Sequence, residues 1–423
     1  MKFVKKRLLA LISLALCFAT VFTLLGCSSV EDPIDTGESS DIATDASDTE
    51  KKTEKKTEKK TEKKTEKPKE TDPIPGKTPA PEKLSAKTYS FANMPASQQK
   101  LFKMSTRVQP NADGLIFDYT CATIEFQGYM TGDVIVEINS KRNHDYGNSY
   151  FTVYVDGIRS NSRFEVQSGK TEKLKVASFK GNYFHTVKIV KQTEFKWSLA
   201  TIKSLAITGY LIDAPKDSNY YIEFLGDSLT AAYGNIGKPG DEPSDSPDYQ
   251  DGTKSYAYML ADTIGADQFI LARSAAGISQ CWSNEPILNY YKKLSKNRSG
   301  DDFDIKNARK PDLIILHLGA NDYNVGGSNR DNFVSKGKEL INYFRENYGT
   351  DLPIIWAYDP GEGFPSKVKE IMNSFGGESA GYYTVALEWR DIGAGAGGHP
   401  NVKAYEAHAN ILLNLITEKN ILD

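Results

Sequence analysis

A serine, a glycine, an asparagine and a histidine each stand beside a short apolar run or a glycine-rich loop, far apart in the chain. Ser228 sits in Gly226-Asp227-Ser228 after YYIEFL, and Gly277 closes Arg273-Ser274-Ala275-Ala276-Gly277 after QFILA. Asn321 sits in Gly319-Ala320-Asn321-Asp322 after PDLIILHL, and His399 in Gly398-His399-Pro400-Asn401 after a glycine-rich loop. These are the groups that acyl transfer requires. A serine hydroxyl becomes a useful nucleophile when an imidazole takes its proton. The oxyanion that forms next needs donors already aimed at it. The backbone N–H groups of Ser228 and Gly277 and the side-chain amide of Asn321 are candidates. The lipase elbow Gly-x-Ser-x-Gly is absent, because Thr230 occupies its last position. Each piece alone also has a plain structural reading: a helix cap for Ser228 and turn chemistry for the others. Their joint placement is what favours chemistry.

Such residues need a frame that gathers them. Residues 219–423 alternate short apolar runs (YYIEFL, QFILA, PDLIILHL, LPIIWAY, YYTVAL) with helical patterns such as KSYAYMLADTIG, DNFVSKGKELINYFRENYG and VKAYEAHANILLNLITEKN. That alternation predicts a five-stranded parallel sheet covered on both faces, a flavodoxin-like three-layer α/β domain. In open parallel sheets, sites form beyond the carboxyl ends of the strands. Upstream, residues 86–213 show strand patterns without a long helix, including LIFDYTCATIEFQGY, DVIVEINS and YFTVYVDGIRS. Asp156-Gly157 predicts a hairpin turn. An all-β sandwich of jelly-roll type is expected there.

The first 85 residues read differently. Lys and Arg precede a long apolar run in MKFVKKRLLALISLALCFATVFTLLGCSS, the layout of a secretory signal over residues 1–27. A membrane-spanning anchor is the competing reading. Leu24-Leu25-Gly26-Cys27 resembles the bacterial lipoprotein processing box, which implies lipidation of Cys27 and a chain held at the outer face of the cell membrane. Residues 28–85 hold an acidic block, KKTE repeats and a Pro-rich end, and lack the apolar side chains to offset ordering. They read as a tether. Over the 423 residues the net charge is −3 with 25% charged residues, which gives no electrostatic case for nucleic acid. Of the other cysteines, Cys17 leaves with the signal. Cys121 and Cys281 fall in different predicted domains, and buried free thiols are expected over a disulfide.

The set Gly226-Asp227-Ser228-Leu229, Gly277, Gly319-x-Asn321-Asp322 and His399-Pro400 resembles the four blocks of the SGNH (GDSL-type) hydrolase superfamily. The run from TEFKWSLATIKSLAITGYLIDAP to YYIEFLGDSLTAAYGN is similar to carbohydrate esterase family 2, which joins a small jelly-roll domain to an SGNH esterase domain. The resemblance covers about residues 88–423. It implies an O-deacetylase of plant cell-wall polysaccharides such as xylan and glucomannan, with no metal and no cofactor. It also implies Ser228 as nucleophile, His399 as general base, and Gly277 and Asn321 in the oxyanion hole. One position departs: Ala396 stands where an Asp three residues before the His is usual. A backbone carbonyl is the expected orienter of His399, with Asp391 as the fallback. Trp282, Tyr233 and Tyr323 are candidates for a sugar platform, against simple packing. Asp227 and Asp322 read as loop braces, His317 as a satisfied core histidine, and His408 as structural or exposed. His144 and His185 fall in the β-domain without an assigned role. An acetylated polysaccharide or oligosaccharide is the expected partner, and the chain is expected to be a monomer. Two alternatives remain at this level: an esterase of envelope glycans or lipid esters, and a catalytically weak surface protein that binds glycans.

Overall fold

The computed structural model describes residues 73–142, 147–242, 247–283, 285–295 and 302–422. The signal, Cys27, most of the tether and His144 lie outside the described residues. The five apolar runs of the C-terminal half form five parallel strands in the order Asp267–Ala272, Tyr221–Gly226, Leu313–His317, Ile354–Tyr358, Tyr382–Ala386. In chain order this is 2-1-3-4-5, the flavodoxin-like sequence with its switch point beside the first strand. Helices cover both faces. Tyr256–Ile264 and Val402–Glu418 pack against one, through Leu260, Tyr405 and Leu412. Ile287–Tyr291, Ser328–Tyr348 and Pro365–Ser374 pack against the other, through Tyr291, Phe344 and Ile371. The three central strands are buried along their whole length, which is why they read as unbroken apolar runs.

Local chemistry sets the helix ends. The Ser255 hydroxyl accepts from the Tyr258 N–H at 3.1 Å to start one helix, and Gly265 ends it at φ 73°. Asn401 caps the last helix by accepting from the Ala404 N–H at 3.1 Å.

The β-domain is one connected antiparallel sheet built on the long strands Thr123–Arg142, Thr171–Lys191 and Ser198–Leu211. Burial alternates along Thr123–Arg142 as a one-sided sheet requires. Register shifts at Met130/Gly132 and Ile202/Ser204 mark bulges, which bend such strands. Phe102, Phe126, Phe151, Ile138, Ile189 and Ile202 meet in its core. Asp156 (φ 52°) and Gly157 (φ 80°) make the predicted two-residue hairpin between Val155 and Ile158.

Residues 74–85, read from sequence as the end of a free tether, instead lie along this sheet. Ala80 N–H donates to the Asn182 carbonyl at 2.7 Å, Phe184 N–H to Thr78 at 2.8 Å, and Gly209 N–H to Ser85 at 2.8 Å. Proline-rich composition disfavours an independent element but not an added edge on an existing sheet.

The two domains share a polar seam. Gly252 N–H donates to the Gln192 carbonyl at 2.8 Å, and Arg159 pairs with buried Asp251 at 2.8 Å. Gln250 takes the indole N–H of Trp197 at 3.0 Å and gives its own amide to the Ala231 carbonyl at 2.7 Å. The β-domain thus holds the end of the short helix that begins at Ser228. Cys121 and Cys281 are both buried free thiols.

Candidate active site

Ser228 opens a one-turn helix, Ser228–Ala231, directly after the first strand of the parallel sheet. The turn is tight: a Cβ at Gly226 would lie 1.9 Å from Thr230 Oγ1. Asp227 caps the helix, accepting from the Leu229 N–H at 3.0 Å. Thr230 Oγ1 in turn meets the buried Tyr256 hydroxyl at 2.8 Å.

His399 reaches this helix from the last loop. Its Nε2 lies 2.8 Å from Ser228 Oγ, and its Nδ1 lies 2.8 Å from the Gly397 carbonyl. A carbonyl only accepts, so Nδ1 carries the proton and Nε2 is left to accept from the serine hydroxyl. That is the tautomer a general base needs. Asp391, the fallback orienter, does not hold the ring, because Gly397 already occupies Nδ1. The loop reaches this shape through Gly397 (φ 58°) and Gly398 (φ 66°). It is pinned by Ala396 N–H donating to Gly234 at 2.9 Å and Gly395 N–H to His399 at 2.7 Å. Loss of hydration lowers the His399 pKa below the ordinary imidazole value. The Gly397 bond and the charges of Glu194 and Glu362 oppose that shift, and Lys196 adds to it.

The second loop follows the strand Asp267–Ala272 and turns through Ala275, whose φ of 70° is unusual for a residue with a side chain. Ser274 and Ala275 face the cleft, and Gly277 is buried. A Cβ on Gly277 would meet Cys281 Sγ at 2.4 Å and Asp322 Oδ2 at 2.5 Å. Among the described residues, the N–H groups of Ser228 and Gly277 donate to no protein acceptor. For buried Gly277 an amide of that kind is rare enough to need a reason.

Asn321 ties the blocks together. Its Nδ2 donates to the Ala276 carbonyl at 2.7 Å and to Asp227 Oδ2 at 3.1 Å. Both its hydrogens are therefore engaged here, so an oxyanion would have to share one. Asp322 accepts from the N–H groups of Ile278 at 3.0 Å and Ser279 at 2.9 Å, the brace expected of it. Asp227 is a brace as well. Burial, helped by Asp322 and Asp359, pushes its pKa up to about 7, against the opposing Leu229 N–H bond.

The Ser228–His399 pair opens into a cleft of about 440 Å³. Trp282, 58% exposed, and Tyr233 line it as expected. Tyr233 stacks on Trp197 with centroids 6.1 Å apart and lies 4.9 Å from the His399 ring. Tyr323 does not line the cleft. It packs edge-on against Phe364 at 5.2 Å beneath the Arg330 guanidinium, a local contact on its own side of the helix. His317 is buried, neither ring nitrogen has a hydrogen-bond partner among the described residues, and burial drops its pKa to about 3. His408 is buried and meets the Glu388 carbonyl through Nε2 at 3.0 Å.

Several cleft residues escaped sequence reasoning. Asp359 directly follows the strand Ile354–Tyr358, so the strand-end rule that found the others applied to it too. It accepts from Arg390 Nη1 at 2.8 Å and from the Trp389 indole at 3.1 Å, which fixes one wall. Lys196 belongs to the β-domain, and no local signal placed it in the cleft.

A serine–imidazole pair at the carboxyl edge of a 2-1-3-4-5 parallel sheet, with free amides beside it, defines the class of GDSL-like acylhydrolases. Residues 222–412 match the family described as GDSL-like Lipase/Acylhydrolase, and residues 105–215 match Carbohydrate esterase 2 N-terminal. The chain belongs to carbohydrate esterase family 2. It is 29% identical over 289 residues to Cellulase/esterase CelE of Acetivibrio thermocellus, covering 64% of this chain and 34% of that protein. It is 21% identical over 242 residues to an Acetylxylan esterase / glucomannan deacetylase of Cellvibrio japonicus, covering 55% and 66%. The match thus spans a third of the first relative and just under two thirds of the second. A solved family two carbohydrate esterase from Clostridium thermocellum in complex with cellohexaose superimposes with a TM-score of 0.68 at 26% identity, covering 75% of this chain and 99% of that one.

Proposed function

We propose that the chain is a carbohydrate O-acetyl esterase acting on acetylated plant polysaccharides of the xylan and glucomannan type. The observation that carries this reading is the Ser228–His399 contact, with its fixed tautomer, at the floor of an open cleft walled by Trp282 and Tyr233. Ser228 Oγ attacks the acetyl carbonyl as its proton passes to His399 Nε2. The oxyanion is met by the Ser228 and Gly277 amides and by Asn321. Collapse releases the sugar hydroxyl, which takes the proton back from Nε2, and leaves acetyl-Ser228. Water, deprotonated by His399, then frees acetate and restores the serine. A polar, aromatic-walled cleft suits a sugar ring better than an acyl chain. The similarity to an esterase solved with cellohexaose supports a glycan there.

Acetate release from acetylated xylan and glucomannan, by the chain and by its Ser228→Ala variant, tests this. Release that vanishes in the variant is expected. No release from either, with retained binding of cello-oligosaccharide, would replace it with the glycan-binding reading. Release only from acetylated envelope glycans would change the substrate and keep the chemistry.

The same proposal puts the enzyme at the outer face of a bacterial membrane, lipid-anchored through Cys27 after the signal that precedes it is removed. Motif and composition support it. Metabolic labelling with palmitate that is lost in Cys27→Ala, together with release of the protein into the medium, is the expected result.

A further inference from the structure

Glu194 lies in the link between the long β-strands Thr171–Lys191 and Ser198–Leu211 and is fully buried. Removing a carboxylate from water is costly unless strong partners replace hydration. No Lys or Arg forms a salt bridge with it among the described residues. Both its oxygens are spent on one residue of the other domain: Oε2 accepts from the Ser274 N–H at 2.7 Å, and Oε1 accepts from the Ser274 hydroxyl. Ser274 starts the turn that ends at Gly277. We propose that Glu194 is a positioning residue for the oxyanion-binding amide of Gly277, supplied to the site by the β-domain; this rests on the esterase reading above.

The turn itself shows why a clamp is needed. Ala275 is held in the left-handed region, a strained conformation for a residue with a side chain that persists only where surroundings enforce it. Downstream, Asp322 grips the Ile278 and Ser279 amides. Upstream, Glu194 grips Ser274. The Gly277 peptide lies between two carboxylate clamps, and among the described residues its N–H donates to no protein acceptor. Each clamp fixes one end of a short segment, so neither suffices to fix the amide between them. The same β-domain link also reaches the other reacting groups. Glu194 N–H donates to Gln250, which holds the Ala231 carbonyl behind Ser228, and Trp197 backs Tyr233 against His399. Of these contacts, the one from the Glu194 carboxylate grips the oxyanion loop.

The test measures kcat and KM on p-nitrophenyl acetate, and the rate at which an alkyl fluorophosphonate labels Ser228. The chain is compared with Glu194→Gln, Glu194→Asp, Ser274→Ala and the double variant Glu194→Gln/Ser274→Ala. Glu194→Gln is expected to lower kcat and the labelling rate by about ten- to a hundredfold, as a misplaced oxyanion donor does, while KM stays within about twofold. Ser274→Ala keeps the amide contact and should lose less. Glu194→Asp should recover part of the loss. The double variant should fall short of the summed single effects, because both act through one contact. Wild-type kcat in both Glu194→Gln and Ser274→Ala overturns the proposal, as does a loss carried by KM alone. Should Glu194→Gln fail to fold, Ser274→Ala against wild type decides. A chain that turns over p-nitrophenyl acetate but no acetylated polysaccharide defeats the substrate assignment and leaves this inference standing.

Discussion

The imidazole of His399 is oriented by the carbonyl of Gly397, two residues before it in the same loop, and not by a carboxylate. A neutral acceptor fixes the tautomer as well as a carboxylate would. It does less to stabilise the imidazolium that forms as Ser228 attacks.

Two substitutions test that orientation. Asp391→Asn is expected to leave kcat unchanged, because Asp391 does not hold the ring. Ala396→Asp restores the residue type usual in the superfamily, yet position 396 is fully buried against Gly234 and Gly237. A carboxylate placed there is expected to destabilise the fold by about 1–3 kcal/mol and to give no gain in kcat. Thermal unfolding read alongside acetate release checks both, and a faster Ala396→Asp enzyme would refute the carbonyl-oriented dyad.

Removing Asn321 should cost more rate than affinity. Asn321→Ala is expected to lower kcat by about 10²–10³-fold with a smaller change in KM, the usual penalty for an oxyanion donor. It also strips a hydrogen bond from buried Asp227 Oδ2, so its melting temperature should fall. Steady-state kinetics with a soluble acetyl ester read the first effect. A variant altered only in stability would make Asn321 a brace.

The pH profile follows from the imidazole. Only neutral His399 accepts the serine proton, and burial lowers its pKa. The acid limb of kcat/KM should therefore fall below the ordinary imidazole value of 6.5, with activity retained at mildly acidic pH. A limb at or above that value would show that the Gly397 bond and the Glu194 and Glu362 charges outweigh desolvation.

Trp282 offers a broad exposed ring at the mouth of the cleft. Trp282→Ala is expected to lower kcat/KM on acetylated polysaccharide several-fold more than on p-nitrophenyl acetate, because only the polymer can lie across the indole. Equal losses on both substrates would assign it to packing.

Lys191 predicts a stability effect away from the site. Its ammonium is fully buried against the carbonyls of Asp118, at 3.0 Å, and Thr193, at 2.6 Å, and desolvation lowers its pKa to about 8. The unfolded chain keeps that proton to about pH 10.4. Between those values the unfolded state binds more protons, so this group makes the fold more stable as pH rises; below about 8 its penalty is constant. Lys191→Met should flatten the change in melting temperature between about pH 8 and pH 10 relative to wild type.

The sequence carried the parallel sheet well, because strands buried on both faces must be apolar throughout and their helices must be amphipathic. The strand-end rule then found Ser228, Gly277 and Asn321, and the glycine loop found His399. It failed where a contact depends on tertiary meeting. Nothing near Glu194 or Lys196 signals that a β-domain link will enter another domain's cleft. Tyr323 shows the converse: closeness in sequence to a site loop says nothing about which side of a helix a ring takes. The edge formed by residues 74–85 was hidden for a similar reason, since its hydrogen bonds depend on a sheet presented by residues a hundred positions later. His317 lies in an apolar strand as read, but its missing partners are a property of the packed interior and leave no trace in the order of residues.

Gln250 spans the seam by taking the Trp197 indole and giving its amide to Ala231, so the last carbonyl of the nucleophile turn rests on a side chain that is itself held from the neighbouring domain. This makes the esterase half a poor candidate for transplantation. A graft cut between residues 213 and 219 would carry Ser228 and His399 away from the fittings that keep them in register. Gene fusions that add or exchange modules should cut ahead of residue 74, where the seam and the added sheet edge both remain intact.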